Sequence, residues 1–438
     1  MRVSLSGKAS ARALLVFGLA GVAAGCNSLL DVDNPATYAA EDLNDPAVVP
    51  VLVNGVVGRF QAAYDDLALI SAVVTDEAVT GNNFETVQRI DLRQIDKINS
   101  GPEVYPPLEF TRAAADSFEA RLRRIGPDTA DRSLGLARVQ AYGALTYALM
   151  GEFLCEAPVD PKQAAVSSDS LFRIAITRAN SAIATATAFR AAGGLAARAD
   201  SMINFARVTA ARAHLNLGEK AQAAAFAAQV PLAFEMRSFY DITNSNNVFQ
   251  ASAIGSQRNL GVDIAFRNLN DVRVRYNLAG GTGHDAATVL FAPFQPPSFS
   301  GFVSTGAVGT GAAFTREASI RISSGLEARY IQAEAEGRNA ANIAFLNTRA
   351  QAGVYAGQPV LAAGASDAEY LAFLIDQRRR DFFLDGHRQG DLRRYIRLYN
   401  LNFYPTGNHP TASRGAYGTS TCFVPTQAEI TGNPNYKP

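Results

Sequence analysis

The sequence predicts a mainly α-helical protein, in which helix pairs form a scaffold and an irregular, loop-rich insert carries short strands. Apolar residues recur at helical spacing in both halves of the chain. Two stretches have the pattern of helix, tight turn and helix. Residues from about 234 to 321 mark the insert, because Gly, Asn, Ser, Pro and aromatic residues dominate there without a sustained helical period.

Composition describes an apolar globular chain without net charge. The 438 residues include 40 basic and 40 acidic side chains, so we expect no nucleic-acid partner. Hydrophobic residues make up 48% and charged residues 18%, which allows a sizeable core. Tryptophan is absent, although there are 25 Phe and 15 Tyr.

Residues 1–25 are typical of a targeting segment. The start is basic, residues 13–24 form an apolar run too short to span a bilayer, and small residues precede Cys26. This pattern resembles a bacterial lipoprotein signal, which predicts cleavage before Cys26 and a lipid such as palmitate on its thiol. Ala23 departs from the Leu that most such signals have three residues before the cysteine. The alternative is an ordinary secretory signal, with Cys26 a plain thiol.

Residues 26–45 are predicted to form a lipidated tether, and residues 46–438 a single helical domain. A helix is expected from Pro46 or Pro50, because proline suits the first turn of a helix, and the apolar spacing extends it to about Ala72. From a break at residues 81–83, the chain is expected to be irregular as far as Pro107. Further helices are predicted over 108–125, 134–154, 168–187, 200–230 with a turn at Gly218, 326–352 with a break at Gly337, and 366–386, with a short helix from about 391.

The two helix–turn–helix stretches, 200–230 and 326–352, resemble tetratricopeptide units. Their irregular spacing does not fit a fixed-period array. A capping box at Ser366–Glu369 gives the helix over 366–386 a defined start.

The insert at 234–321 is the predicted recognition region, because so long a stretch without helical period is rarely a simple connection. Aromatic rings there could stack on sugar faces or on apolar ligands. The candidate ligand-binding residues are Tyr240, Phe249, Tyr276, Phe294 and Phe299. About half of the aromatic residues in the insert are expected to be local core instead.

Cys155 and Cys422 remain once Cys26 is set aside. In an oxidising compartment these two residues could form a disulfide that ties the C-terminal region to the helical body. Two separate buried thiols are an equally weighted alternative.

The densest charge in the chain lies in residues 377–395, here called the arginine-rich stretch, which read QRRRDFFLDGHRQGDLRRY. Such a run usually forms a solvated helix face. Bulky aromatics and Gly386 interrupt this one, so we expect part of it to be paired and buried. From charge alone, it could be either a ligand site or a structural lattice.

No stretch demands catalysis, a cofactor or a metal. The four histidines make no familiar metal spacing with each other or with a cysteine. The glycines at 280–283 lack the lysine of a phosphate-binding loop, and no Gly-x-Ser-x-Gly nucleophile motif is present. Paired carboxylates for glycoside hydrolysis cannot be recognised from sequence, so a secreted hydrolase stays as an alternative.

Together these features resemble the SusD/RagB family of nutrient-binding outer-membrane lipoproteins. The most specific match comprises Arg378, Arg379, Phe382, Gly386, Arg388, Asp391, Leu392 and Arg394. Residues 333–335 with 346–349, and the ending from Pro425 to Asn435, match further parts of the family pattern. The chain departs from the pattern at Gln377, where Glu is common, and at Tyr395, where Trp is frequent. Asp381 and Asp385 also replace longer carboxylates.

The resemblance implies binding without catalysis. The protein would sit at the outer membrane on its lipid anchor, facing outside, and capture an oligosaccharide or other nutrient for a TonB-dependent, SusC-like transporter. The arginine-rich stretch would then be a structural ion-pair motif of Arg378, Arg379, Asp381, Asp385, Arg388, Asp391 and Arg394. Starch is in doubt as the ligand, because starch-binding members use aromatic arcs that include Trp. The alternative is a helical-repeat lipoprotein that scaffolds outer-membrane assembly.

Overall fold

The computed structural model describes residues 42–436, apart from 82–83, 99–100, 161–162, 242–246, 250–251, 253–259, 268, 270, 275, 280–289, 294–315, 352–357 and 411. The chain divides into two compact units, residues 1–48 and 49–438. The described part of the first unit holds two short 3-10 helices, Asp42–Asn44 and Pro46–Val48. The helices and strands described below belong to the second unit.

The second unit is predominantly helical, as predicted. Its described α-helices are α1 Val49–Val74, α2 Glu85–Asp91, α3 Gly101–Ile125, α4 Leu134–Phe153, α5 Ser168–Ala191, α6 Ala196–Asn216, α7 Lys220–Ala227, α8 Gly325–Glu336, α9 Ala340–Gln351, α10 Asp367–Asp381, α11 Arg388–Tyr399 and α12 Gln427–Gly432. The predicted helix pairs correspond to α6 with α7, which turn at Gly218, and α8 with α9, which turn at Gly337.

The first long helix, α1, lies in the main hydrophobic core. Most of its residues from Leu52 to Val74 are buried. In the described part of the chain, Pro46–Val74 alone is long and apolar enough to cross a bilayer, a test that buried core helices also pass. The burial of α1 identifies it as a core helix.

The segment before Leu108, predicted to be irregular, contains α2 and the first turns of α3. Pro106 and Pro107 lie inside α3, where each lacks the N–H that would bond to the carbonyl four residues earlier. Tyr105 and Leu108 are both buried beside them. The burial of these apolar side chains offsets the lost hydrogen bonds. The helix therefore begins before the two prolines, at Gly101.

Side-chain caps fix the starts of several helices. The capping box predicted at Ser366 and Glu369 is present at the start of α10. For α5, which was predicted to begin at about residue 168, the cap is Ser167, and its side chain accepts from the backbone N–H of Ser170. Ser167 also ends a short strand.

Close contact between α4 and α5 depends on a small residue of α4. A Cβ atom at Gly151 would lie 2.7 Å from the ring of Phe172. Larger side chains at this position would therefore push the two helices apart.

Strands in the described residues form four antiparallel pairs. They are β1 Ala78–Thr80 with β5 Leu260–Val262, β2 Glu156–Ala157 with β3 Val166–Ser167, β4 Glu235–Ser238 with β8 Ile320–Ser324, and β6 Tyr276–Ala279 with β7 Leu290–Pro293. Five of the eight strands lie within or at the edges of the predicted insert. The prediction of a loop-rich insert with short strands is therefore confirmed.

A disulfide joins Cys155, just after α4, to Cys422. Their Cα atoms are 5.1 Å apart, within the range that a disulfide requires. Of the two alternatives for these cysteines, the structure contains the bridge. It fixes the C-terminal segment, which includes the short helix α12.

The hydrophobic core has one large cluster and two smaller clusters among the described residues. The large cluster centres on α1, α4, α5 and α6. One of the smaller clusters lies around the arginine-rich stretch and includes Tyr330, Leu374, Phe382, Leu392 and Tyr395. The charged side chains of the arginine-rich stretch are therefore surrounded by apolar residues.

Candidate functional site: the arginine-rich stretch and its surroundings

A tight turn over residues 382–387 joins α10 to α11 and sets the geometry of the arginine-rich stretch. Leu384 and Gly386 have positive φ angles of 61° and 88°. A Cβ atom at Gly386 would also lie 3.1 Å from the hydroxyl of Tyr64. That hydroxyl donates to the carbonyl of Asp385 at 2.7 Å, so the turn is held directly against α1. The positive backbone angle favours glycine at position 386, and a Cβ atom there would also crowd Tyr64.

Asp391 links the two helices of the stretch to each other. Its carboxylate accepts from Arg378 Nε at 2.7 Å and from Arg394 Nη2 at 2.8 Å. Arg394 also donates to both oxygens of Glu334, at 2.8 and 3.0 Å. These charge-assisted hydrogen bonds connect α10, α11 and α8 inside the protein.

Asp381, the last residue of α10, is a second connection point. Arg349 donates to both of its oxygens, at 2.6 and 2.8 Å. The Tyr330 hydroxyl donates to it at 2.5 Å, and Arg273 Nη1 lies 3.3 Å away. One carboxylate therefore joins α10 to α8, to α9 and to a short helical turn of the insert.

Arg388 and Arg379 differ in their surroundings. Arg388 makes a bidentate pair with Asp76, just after α1, at 2.7 and 2.6 Å. Arg379 is closer to solvent, and it pairs with Asp376 of its own helix at 2.8 Å. Arg379 also donates a hydrogen bond of 3.0 Å to the Ala265 carbonyl and lies over the ring of Phe266. Arg379 is thus the most peripheral arginine of the predicted motif.

Asp385 lies in the turn between the helices. It accepts from Arg321 at 2.9 and 3.1 Å, and its other oxygen lies 2.7 Å from His387 Nδ1. The second ring nitrogen of His387 lies 2.8 Å from Arg212 Nη2 and 3.2 Å from Glu327 Oε2. Arg212 Nε in turn donates to Glu327 at 2.6 Å.

Burial and the neighbouring charges act in opposite directions on these pKa values. Burial would raise the pKa of Asp391, but the guanidiniums of Arg378 and Arg394 outweigh it and hold that pKa below its usual range. Burial would lower the pKa of Arg378, and Asp391 reverses this. For Glu152, which lacks so close a guanidinium, burial prevails and the pKa is raised.

The group formed by these ion pairs is here called the inner lattice. It comprises Asp76, Arg273, Arg321, Glu334, Arg349, Arg378, Asp381, Asp385, Arg388, Asp391 and Arg394. Each of these charges has an oppositely charged partner, and most have almost no contact with solvent. Such an arrangement joins helices and does not present charge to a ligand.

Sequence reasoning named the charged residues of the stretch but missed most of their partners. Asp76, Arg273 and Arg321 lie far away along the chain, and no local pattern distinguishes them. Glu334 and Arg349 did carry a signal, because both belong to the second segment that resembles the family pattern.

Two of the predicted ligand-binding aromatics are core residues. Tyr240 is 7% exposed and Phe249 is 0% exposed, and both belong to the main hydrophobic cluster. Rings so enclosed by protein cannot stack on a sugar, so the prediction is corrected for these two residues. Tyr276 begins β6. Phe294 and Phe299 lie outside the described residues, as does the predicted lipidation site Cys26.

Two of the surface clefts in the helical part of the described chain are lined by several arginines. A cleft of about 210 Å³ is lined by Gly151, Ser168, Phe172, Arg393 and Arg397, among others. Arg393 Nη1 donates there to the carbonyls of residues 151, 152 and 154, which end α4. A cation suits the C-terminus of a helix, so Arg393 has a structural role.

The larger cleft is an open groove of about 570 Å³ between α3 and α5. Its floor is polar, because Arg178 bonds to Glu119 at 2.8 Å and also pairs with Asp116. In neither cleft, nor elsewhere in the described residues, do three or more His, Cys, Asp or Glu side chains form a group that could hold a metal ion.

Comparisons with known proteins identify the fold. No family model matches the sequence, and no curated protein matches it. Solved structures do match: a SusD homolog from Bacteroides thetaiotaomicron VPI-5482 has a TM-score of 0.68 at 14% identity, covering 92% of this chain and 99% of that one.

Two further matches have names that describe binding. A laminarin binding SusD-like protein has a TM-score of 0.56 at 13% identity, covering 88% of this chain and 98% of its own. Surface glycan-binding protein A from Bacteroides uniformis has a TM-score of 0.59 at 12% identity, covering 87% and 98%. The chain thus has a helical scaffold with a loop-rich insert, and its fold is similar to that of these SusD-like proteins.

Proposed function

We propose that this chain is a lipid-anchored protein of the outer membrane that captures a carbohydrate and passes it to a TonB-dependent transporter. The observation that carries the proposal is the SusD-like fold, which extends over 92% of the chain in the comparison with the Bacteroides thetaiotaomicron homolog. Neighbours with this fold are named for binding laminarin and surface glycans. A carbohydrate is therefore the ligand class that the comparisons favour.

The inner lattice supports a binding role without catalysis. Its carboxylates accept hydrogen bonds from guanidiniums, so they are not available as a pair flanking a glycosidic bond. We place the carbohydrate site in the insert, where Tyr276, Phe294 and Phe299 stay as predicted stacking residues.

Glycan binding is tested by affinity electrophoresis of the purified protein in gels that contain laminarin, other soluble polysaccharides or no glycan. We expect at least one glycan to slow migration, with no release of reducing ends on prolonged incubation. Normal migration in every gel would contradict carbohydrate capture, and released reducing ends would favour the hydrolase alternative.

The location of the site is tested with alanine substitutions. Tyr276→Ala, Phe294→Ala and Phe299→Ala should each weaken retardation by the active glycan, since one stacking ring is lost. Phe110→Ala is the matched control, because Phe110 is 63% exposed on α3, a helix outside the insert. Equal loss of binding in the control would remove the support for a site in the insert.

The anchor and the transporter are tested together in native membranes. The wild-type protein, extracted in mild detergent, should copurify with a TonB-dependent barrel and carry a lipid detectable by mass spectrometry. Cys26→Ser should release the protein into the soluble fraction, because the thiol that accepts the lipid is gone. Recovery of the wild-type protein without a barrel would favour the scaffolding alternative.

A further inference from the structure

His387 lies inside the protein, where several helices meet. The site formed by His387 with Arg212, Glu327 and Asp385 is here called the joint. His387 immediately precedes α11 and is buried. Its ring contacts three elements, which are α6, α8 and the turn that precedes α11. The centroid of the ring lies 4.8 Å from the centroid of the Phe382 ring. Proton binding at this ring would therefore affect contacts between distant parts of the chain.

One ring nitrogen of His387 has a clear role. Nδ1 lies 2.7 Å from a carboxylate oxygen of Asp385, which can only accept, so Nδ1 carries a proton. The other oxygen of Asp385 accepts from Arg321, which fixes the carboxylate in place. This contact is the same whether the ring is neutral or charged.

The second nitrogen, Nε2, has two competing neighbours. Arg212 Nη2, at 2.8 Å, is always a donor, so it bonds to Nε2 only when the ring is neutral. Glu327 Oε2, at 3.2 Å, is an acceptor, so it bonds to Nε2 only when the ring is protonated. Among the described residues Glu327 Oε2 has no other hydrogen-bond partner, although it is buried. The neutral ring thus leaves a buried carboxylate oxygen unsatisfied.

Protonation would give Glu327 Oε2 a partner and would turn Arg212 Nη2, itself a donor 2.8 Å from Nε2, away from the ring. With a proton on Nε2, His387 donates to Glu327 Oε2. Arg212 keeps its bond to Glu327 Oε1 at 2.6 Å and its bond to the Ile322 carbonyl at 3.1 Å. Every strong donor and acceptor of the joint then has a partner.

Charged and titratable groups face His387 from each element packed against it. They are Asp385 in the turn, Arg321 in β8, Glu327 in α8, Arg212 in α6, Glu152 in α4, Asp391 in α11 and Tyr64 in α1. Burial alone would lower the pKa of His387, but the carboxylates of Asp385 and Glu327 outweigh it and raise that pKa above its ordinary value.

We propose that His387 is a buried proton switch, which locks α8 to the turn between α10 and α11 when it is protonated. In the locked state the imidazolium bridges Asp385 and Glu327. In the unlocked state the neutral ring accepts from Arg212, and Glu327 keeps only one of its two oxygens paired. The switch concerns the scaffold, and it stands independently of the proposed carbohydrate binding.

Proton binding at His387 is measured by nuclear magnetic resonance on the full chain labelled at the histidine Cε1 position. The chain has only four histidines, so single glutamine substitutions at the other three assign their signals and leave that of His387. We expect an apparent pKa above the ordinary value of about 6.5. A pKa at or below that value would overturn the proposal, even if no His387 variant folds.

The lock itself is measured by urea unfolding at pH 5.5 and pH 8.5. Because the folded pKa is raised, the stabilisation is fully present below the unfolded pKa and is lost as the pH rises through the folded pKa. The wild-type protein should therefore lose more stability between these pH values than His387→Gln, which cannot titrate.

His214→Gln is the control for the unfolding experiment. Its ring bonds to Glu219 beside the turn after α6, away from the joint. This variant should keep the wild-type loss between pH 5.5 and pH 8.5. An equal loss in the wild-type protein and His387→Gln would overturn the proposal.

Discussion

Two networks of arginines and carboxylates in this protein use the same chemistry at different depths. The inner lattice joins α1, α8, α9, α10 and α11, and the side chains of Arg388 and Asp76 are only 2% and 8% exposed. The outer network, formed by Arg112, Asp116, Glu119, Arg123 and Arg178, lies between α3 and α5. At its edge, Arg123 and its further partner Asp131 are 42% and 72% exposed.

Burial, more than the number of ion pairs, therefore sets how much each network contributes to stability. Exposed pairs contribute roughly 0.2–1 kcal/mol, since water and salt screen them. Removing one partner of a buried pair costs about 3–5 kcal/mol, because the other charge stays in the interior without compensation. The inner lattice should therefore control folding, whereas the outer network should tolerate change.

The largest effect is expected at Asp381, the carboxylate shared by Arg349, Arg273 and Tyr330. Asp381→Asn removes its charge and leaves the buried Arg273 and the partly exposed Arg349 undercompensated. The free energy of unfolding should fall by about 3–5 kcal/mol in urea titrations. A loss below about 1 kcal/mol would mean that this part of the lattice behaves like the outer network.

The next largest loss of stability is expected when the disulfide is removed. The disulfide holds the C-terminal segment, whereas the inner lattice joins helices. The disulfide joins residues 267 positions apart, so the unfolded chain loses much freedom when the bridge is present. Cys155→Ala combined with Cys422→Ala should lower the free energy of unfolding by about 2–5 kcal/mol. Reductant should destabilise the wild-type protein in the same way but leave the double variant unchanged; equal sensitivity would contradict the assignment.

Asp65 differs from the carboxylates of both networks, because it is buried and forms no salt bridge with any described residue. It lies in α1, is 6% exposed and accepts from the backbone N–H of Val248 at 3.0 Å. Burial raises the pKa of Asp65 to about 7. The stabilisation linked to its proton is therefore lost as the pH rises from about 4 through 7.

Asp65→Asn keeps the shape and an acceptor for Val248 but cannot ionise. At pH 8.5 this variant should exceed the wild-type protein in free energy of unfolding by about 1–3 kcal/mol, and the advantage should vanish near pH 4. Urea unfolding at both pH values checks this. A variant less stable than the wild-type protein at pH 8.5 would show that the carboxylate is stabilised in its charged form.

The smallest effect is expected in the outer network. Arg123→Ala removes an exposed partner of Glu119 and Asp131, so the free energy of unfolding should change by roughly 0.2–1 kcal/mol at low salt. Adding salt should reduce the change further. A loss above about 2 kcal/mol would erase the distinction between the two networks.

The sequence predicted the helical elements better than the contacts between them. Helical spacing and the Ser366 capping box are local signals, and both appear in the structure. The partners of the inner lattice are not local, because Arg388 meets Asp76 across 312 positions. The aromatic residues of the insert illustrate the same limit: composition made Tyr240 and Phe249 candidates, but strand pairing and helix packing placed them in the core.

A double-mutant cycle on Arg388 and Asp76 measures whether the arginine-rich stretch acts as a structural scaffold. Each residue has the other as its bidentate partner inside the protein. Arg388→Met and Asp76→Asn should each lower the free energy of unfolding by about 3–5 kcal/mol, and the double variant by clearly less than the sum. Two single variants within about 0.5 kcal/mol of the wild-type protein would contradict the scaffold role.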